Sequence, residues 1–390
     1  MSNPGLAHLR GITWNHTRGH LPMVATAQRF CELHPQVTIQ WEVRSLQAFA
    51  DAPIEVLAKQ YDLLVVDHPS TGRAARVGAL LPLDEYIPAS FLADQASNSV
   101  GRSHASYRYE GHQYALAIDA AAPISGWRPD LLEKARTKSP ETWPELLDLA
   151  RQGLVILPGI AIDSLMNFYM LCGALGEGPF QHTGKVVSEG IGAEALLRLR
   201  QLLLLCEPEC FTRNPIATWQ ALSTSDTVAY CPFAYGYSNY SRKGYARYPL
   251  QTGDLVTLEN NATLKSTLGG AGLAISTGCQ HKDMAARYAQ MVASPECQST
   301  LYLDSGGQPG HRSAWLDAET NRRCNNFFVN TLPTLDAAYV RPRFDGYLDF
   351  QVQAGRIVHR YLTDGGKEGI AIEALDRLLT ATMHAEQRAS

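Results

Sequence analysis

Leu57–Ile87, LAKQYDLLVVDHPSTGRAARVGALLPLDEYI, contains an uninterrupted apolar run, Leu63–Val66, that passes straight into a polar loop. Four consecutive aliphatic residues of strand length read as a parallel strand buried on both faces. Asp67, His68, Ser70 and Thr71 follow at its carboxyl end, where open α/β sheets bind small molecules. Upstream, Gly11–Trp14 continues a first strand, and Thr17–Pro22 reads as a loop opening a helix with Pro22 in its first turn. Met23, Ala27, Phe30 and Cys31 recur at helical spacing and predict that helix's buried face. Val37–Val43 alternates as a second strand, and a helix over Leu46–Gln60 leads back to Leu63. This β-α-β-α-β order predicts right-handed crossovers and a mostly parallel sheet.

A chain of 390 residues with 45% hydrophobic content is large enough for two lobes. Thirty-four basic residues against 38 acidic ones leave a formal charge of -4 without a basic stripe, so no nucleic acid is expected as a partner. No stretch approaches the roughly 18 uninterrupted apolar residues of a span, so no membrane insertion is expected. HExxH, CxxC, G-x-S-x-G, phosphate-loop and G-x-G-x-x-G motifs are missing; no cofactor and no metal are expected. His16 with His20, and Cys206 with Cys210, each stand four apart and can meet on one turn, but neither pair has a second cluster to complete a metal site. The eight cysteines show no tight pairing pattern and read as reduced thiols. The start, MSNPGLAHLRGITWNH, has no basic opening, apolar core or lipobox cysteine. Together these point to a cytoplasmic protein, or to a periplasmic one if a leader was trimmed.

Farther along, Tyr107–Leu116 (YRYEGHQYAL) reads as a hairpin and Ser139–Gln152 (SPETWPELLDLARQ) as a helix capped by Ser139. Asp163–Leu175 and Ala193–Cys206 are further helices, and Thr227–Cys231 is a strand. The loop that follows, Pro232–Tyr245, carries five aromatic residues in 14. Leu268–Ser276 (LGGAGLAIS) is a return strand, and the tail from Arg341 reads as a long helix, a Gly break and a last amphipathic helix.

In order and spacing, these stretches resemble the extracellular solute-binding proteins of ABC transporters, family 1. Strand YDLLVVD with the helix ending GALLPLDEYI is one match, and PETWPEL is similar to the family's P-x-T-W-x-E-L element. YALAID and GWRPDLL stand where members carry YGLP and YN-x-D-L, and LGGAGLAIS resembles GG-x-x-x-A-I. The resemblance spans nearly the whole chain. It implies an α/β, two-lobed periplasmic-binding-protein-like (type II) fold with discontinuous lobes and a hinge. Residues 1–117 plus 268–309 would form the N-terminal lobe, and residues 118–267 plus 310–390 the C-terminal lobe. It also implies a monomer that closes on a small polar ligand, a sugar or organic acid, in the interlobe cleft, with an ABC permease as partner.

Ten residues are candidate ligand contacts. Trp14, Asn15, His16 and Arg18 follow the first strand. Arg18 suits a carboxylate or phosphate with His16 as a tunable donor, or else Arg18 pairs with a surface carboxylate and His16 merely caps the helix. Asp67 and His68 are fixed by their strand and exposed by the loop, although Asp67 also suits a cap. Asp119 stands at the presumed crossing between lobes and faces either ligand or hinge backbone. Tyr235 and Tyr237, with Tyr240, resemble the stacking platforms of sugar-binding members, with lobe packing as the alternative. Gly270 beside Gly269 lets the backbone approach a ligand, or serves plain strand geometry. The aromatic residues favour a sugar, whereas Arg18 with His16 and Arg73 favours an organic acid or a phosphorylated compound. A second class of function is a cytosolic enzyme or sensor on the same fold, with His16, Asp67, His68 and Asp119 as acid–base candidates. Thiaminase-type relatives of the fold place a nucleophilic cysteine in the interlobe loop, which here reads AIDAAAPIS and has none.

Overall fold

A computed structural model describes residues 6–259 and 261–389. Eight strands build the two main sheets: β1 (Ala7–Trp14), β2 (Val37–Arg44), β3 (Leu63–Val66), β4 (Leu116–Ala121), β5 (Pro123–Trp127), β6 (Tyr230–Tyr235), β7 (Gln251–Gly253) and β8 (Gly269–Ile275). The chain folds into two compact units. Unit 1 comprises the chain up to Ala121, Leu268–Asn321 and Val340–Asp345, and unit 2 comprises Ala122–Thr267, Arg322–Tyr339 and the chain from Gly346.

Unit 1 is built on a five-stranded sheet in the order β2-β1-β3-β8-β4. β1 runs parallel to β2 and β3, and β8 is antiparallel to both β3 and β4. The four residues of β3 are all buried, and their alternation sends them into two cores. Leu63 and Val65 pack with Met23, Phe30, Leu273 and Tyr288 on one face. Leu64 and Val66 pack with Ile54, Ala74, Leu80 and Tyr107 on the other. Full burial of such a side chain contributes about 1.5–3 kcal/mol, so this short strand holds two layers together.

Local chemistry moves several expected boundaries. Helix α1 spans Thr17–Leu33, so the expected loop over Thr17–Pro22 is already helical and Pro22 lies inside the helix. His16 is its cap: its side chain accepts the Arg18 N–H, which starts the helix earlier than a Pro-led first turn would. Met23, Ala27 and Phe30 are buried with Thr26 on one face, whereas Cys31 lies off it and is half-buried. The helix expected over Leu46–Gln60 is two short ones, Leu46–Asp51 and Ile54–Leu57, divided at Pro53, which cannot donate an amide hydrogen to a continuing helix. Arg108–Tyr109 and His112–Gln113 pair as a hairpin.

Unit 2 carries an antiparallel sheet in the order β6-β5-β7. Its helices include Trp143–Arg151, Ala161–Ala174, Glu189–Leu204, Tyr347–Asp364 and Glu368–Ala389. The first starts at Trp143 and not at Ser139, because Thr142 and Glu145 form a reciprocal capping box. The expected strand Thr227–Cys231 lies later, at Tyr230–Tyr235. Among the described residues, no helix is long and apolar enough to cross a membrane.

The boundaries of the units differ from the expected 117 and 309. β4 pairs with β8 through Ala121, which extends unit 1 beyond residue 117. Pro309–Asn321 also stays in unit 1: the Gly310 N–H donates to the Ile118 carbonyl at 3.1 Å, and Trp315 Nε1 donates to the Pro309 carbonyl at 2.7 Å. Val340–Asp345 returns as well, tied by Arg341 and Arg343.

Gly270 sits where β8 meets β4, with φ of 97°. A Cβ there would lie 2.4 Å from the Asp119 carbonyl oxygen and 2.9 Å from Ala120 Cα, both of them backbone atoms. Gly270→Ala therefore combines a left-handed backbone with a clash that no rotamer relieves, and is expected to lower stability by about 2 kcal/mol or more, read as a reduced urea midpoint.

Candidate functional site

The end of β1 places Trp14, Asn15, His16 and Arg18 together. Trp14 is buried against Phe49, with ring centroids 5.2 Å apart, and its Nε1 has no hydrogen-bond partner among the described residues. Asn15 has an exposed side chain while its backbone N–H donates to the Arg44 carbonyl at 2.7 Å. His16 serves as the α1 cap, and burial followed by the Arg18 charge lowers its pKa to about 4, so it is neutral at pH 7. Arg18 does not project into solvent. Its Nε donates to Asp119 Oδ2 at 2.7 Å and its Nη2 donates to Asp119 Oδ1, with both side chains buried. Burial raises the Asp119 pKa and Arg18 opposes the rise. The pair joins the start of α1 to β4, beside the Gly270 crossing.

At the end of β3, Asp67 accepts the His68 N–H at 2.9 Å and caps the 3-10 turn His68–Ser70, as one of its sequence readings had it. It also accepts two hydrogen bonds from Arg341 Nη2, at 2.8 and 2.7 Å. Burial alone would raise this carboxyl; Arg341 and His68 outweigh it and hold the pKa at about 2. His68 is fully buried, and burial followed by the Arg341 charge lowers its pKa to about 4. Its Nδ1 lies 3.3 Å from Asp67 Oδ1, a close polar contact, while neither ring nitrogen makes a hydrogen bond among the described residues. The Tyr107 ring meets that imidazole edge-on, and the Tyr107 hydroxyl donates to the Val66 carbonyl. Burial, then Asp67 and Asp119, raise the Tyr107 pKa well above its ordinary value, so this tyrosine senses both carboxylates. Of the four acid–base candidates, His16, Asp67 and Asp119 are thus engaged by partners of their own.

In unit 2 the aromatic loop is largely packing. Tyr237 and Tyr240 are buried, and Tyr240 meets Tyr245 edge-on at 5.3 Å. Tyr235 is half-buried at the end of β6; its hydroxyl hydrogen-bonds Thr267 Oγ1 at 3.1 Å and its carbonyl accepts from Trp219 Nε1. Another residue of this unit, which belongs to no motif, stands out more. Asp163, in the first turn of Ala161–Ala174, is 4% exposed, and its Oδ2 has no hydrogen-bond partner among the described residues. Burial pushes its pKa up to about 8. A buried carboxyl oxygen without a hydrogen-bond partner is costly, and a strongly shifted buried group is a candidate for a functional role. The only sequence signal was an acid in an otherwise apolar helix start, which reads as ordinary helix-end preference. Arg341 was also missed, because 274 residues separate it from Asp67.

The buried groups at β3 predict a specific acid response. Native His68 resists protonation, so a stability loss of about 3 kcal/mol from this residue alone begins as pH falls below 6.5 and is complete below about 4. The contribution of Asp67 is intact above about pH 4 and is lost as pH falls toward about 2. Urea midpoints measured from pH 7 to 4 should fall steadily, and His68→Gln should flatten part of that slope.

The profile of the bacterial extracellular solute-binding protein family matches residues 25–324. Among solved structures, maltose-bound T. maritima MalE3 superimposes with a TM-score of 0.83 at 17% identity, covering 96% of this chain and 99% of that one. An ABC transporter solute-binding protein from Agrobacterium radiobacter in complex with ribitol gives 0.80 at 17% identity, covering 96% and 98%. Another from Agrobacterium vitis, with bound D-mannitol, gives 0.76 at 15% identity, covering 97% and 99%. The fold is therefore the two-lobed α/β fold of periplasmic sugar-binding proteins, and the chain belongs to the bacterial extracellular solute-binding protein family.

Proposed function

We propose that this protein captures a sugar or polyol outside the cytoplasmic membrane and delivers it to an ABC permease. The observation that carries the reading is the match over 96–97% of the chain to proteins whose structures hold maltose, ribitol and D-mannitol. The family's extracellular role favours the periplasmic of the two locations that the sequence left open.

Asp163 supports a hydroxyl-bearing solute. A carboxyl with its pKa at about 8 is mostly protonated at pH 7, so it can donate one hydrogen bond and accept another. A sugar hydroxyl makes the same double demand, whereas an anionic solute gains only a donor and is repelled once the carboxyl ionises. Tyr235, the half-buried member of the aromatic loop, offers a ring suited to the C–H face of a sugar. In unit 1, Trp14, Asn15, His68 and the Asp67–Arg341 pair are the groups we assign to the ligand.

Thermal shift and calorimetry against maltose, ribitol, mannitol and a set of organic acids test this reading. A solute at about 100 times its Kd adds about 2.7 kcal/mol of stability, and it should be recovered unchanged. A response to organic acids and to no carbohydrate or polyol would overturn the assignment. With a bound sugar in hand, Asp163→Ala should weaken affinity by roughly 10-fold or more, while Asp163→Asn, which keeps a donor and an acceptor, should retain most of it.

A further inference from the structure

Apart from the groups assigned to the solute, unit 1 brings a serine, a histidine and an aspartate into one hydrogen-bonded chain. Ser313 Oγ lies 2.7 Å from His311 Nδ1, and His311 Nε2 lies 3.3 Å from Asp94 Oδ2. The Ser313 N–H also donates to His311 Nδ1, at 3.3 Å, so that nitrogen presents a lone pair. In the neutral ring the proton is therefore on Nε2, which donates to Asp94, and Nδ1 is the acceptor for the Ser313 hydroxyl proton. A hydroxyl within hydrogen-bond reach of a base that a third group orients is the arrangement of an activated nucleophile, recognised by roles and not by order in the chain.

Each member is held by the fold. The backbone around His311 is clamped to residues 98–100: the Arg312 N–H donates to the Asn98 carbonyl at 2.7 Å, Arg312 Nε to the Ser99 carbonyl at 3.1 Å, and the Val100 N–H to the Gly310 carbonyl at 3.3 Å. Asp94, on the helix Ala89–Ser97, accepts from Asn98 Nδ2 at its Oδ1, at 2.8 Å, which leaves Oδ2 to His311. His311 is 3% exposed whereas Ser313 is exposed, so the base is shielded from water while the hydroxyl can be reached. Capping the helix Arg312–Leu316 needs only the Ser313 N–H on the imidazole; the Oγ and Asp94 contacts exceed that task.

We propose that Ser313 is an acylation site: a nucleophilic hydroxyl, with His311 as its general base and Asp94 as the positioning residue of that base, which takes the acyl group of small esters with a good leaving group. Ser313 Oγ attacks the carbonyl carbon of R–CO–OR′ as its proton passes to His311 Nδ1. The imidazolium, held by Asp94 at Nε2, gives that proton to the departing oxygen; the bond from the carbonyl carbon to OR′ breaks and R′–OH leaves. The ring returns to its neutral form, and Ser313 carries R–CO on Oγ as an ester, with nothing oxidised or reduced. None of the three residues belongs to the groups assigned to the solute, so this chemistry is separate from capture.

The test incubates the full-length protein with 4-nitrophenyl acetate, follows release of 4-nitrophenol and maps acetylated peptides by mass. An acetyl group on Ser313 is expected, lost in Ser313→Ala and in the urea-unfolded chain. His311→Gln, which keeps an acceptor for the Ser313 N–H, should slow labelling of Ser313 by about 100-fold. Asp94→Asn should slow it too and Asp94→Glu should restore most of the rate, a rescue that a merely structural role would not give. The side chain of Asp94 is 41% exposed, so its variants keep the test valid if His311→Gln fails to fold. Acetyl groups confined to lysines and the amino terminus, or a Ser313 label that forms as fast in His311→Gln or in unfolded protein, would overturn the proposal and leave His311 as a helix cap alone.

Discussion

Burial of Leu63–Val66 on both faces is the constraint from which the rest of unit 1 follows. A strand with no polar residue and no solvent-facing side needs a helical layer above and below it. α1 with Lys282–Ala293 supplies one layer, and the Ile54, Ala74 and Tyr107 elements supply the other. With both faces closed, polar chemistry is possible only at the strand ends. Asp67 and His68 stand at such an end, and Trp14 to Arg18 stand at the matching end of the parallel neighbour β1.

The polar groups at those ends differ in how their charge is handled. Arg18 and Asp119 neutralise each other in a two-point contact, away from solvent. Such pairs contribute little net stability but leave a large penalty when one partner is removed. Asp67 and Arg341 are arranged similarly, and His68 beside them stays neutral because burial and the Arg341 charge outweigh the pull of Asp67 on an imidazolium. Asp163 in unit 2 is the contrast. It has no counter-charge, so it answers burial by holding its proton. A protonated acid is a donor, and this makes it the most informative polar group in that unit.

Much of this arrangement was legible in the chain. The apolar run at Leu63, the alternation at Val37, the return strand at Gly269 and the final pair of helices all stand where their patterns placed them, because each depends on local periodicity. Misplaced boundaries have local causes too: a histidine cap at α1, a proline at residue 53 and a capping box at Thr142. Arg18 and Asp119 were both identified as candidates, but as separate ligand contacts. Their pairing spans 101 residues and leaves no periodic trace.

By itself the sequence determined the fold class, the family and the strand ends at which polar chemistry gathers, since hydrophobic period and motif order are properties of neighbouring residues. Only the tertiary structure decided which polar residues are satisfied. Arg18 meets Asp119 and Arg341 meets Asp67, whereas Asp163 Oδ2 has no hydrogen-bond partner among the described residues, and these outcomes depend on which distant segment packs alongside. A carboxylate's ionisation is set by the field and the dielectric around it, and neither exists until the chain has folded.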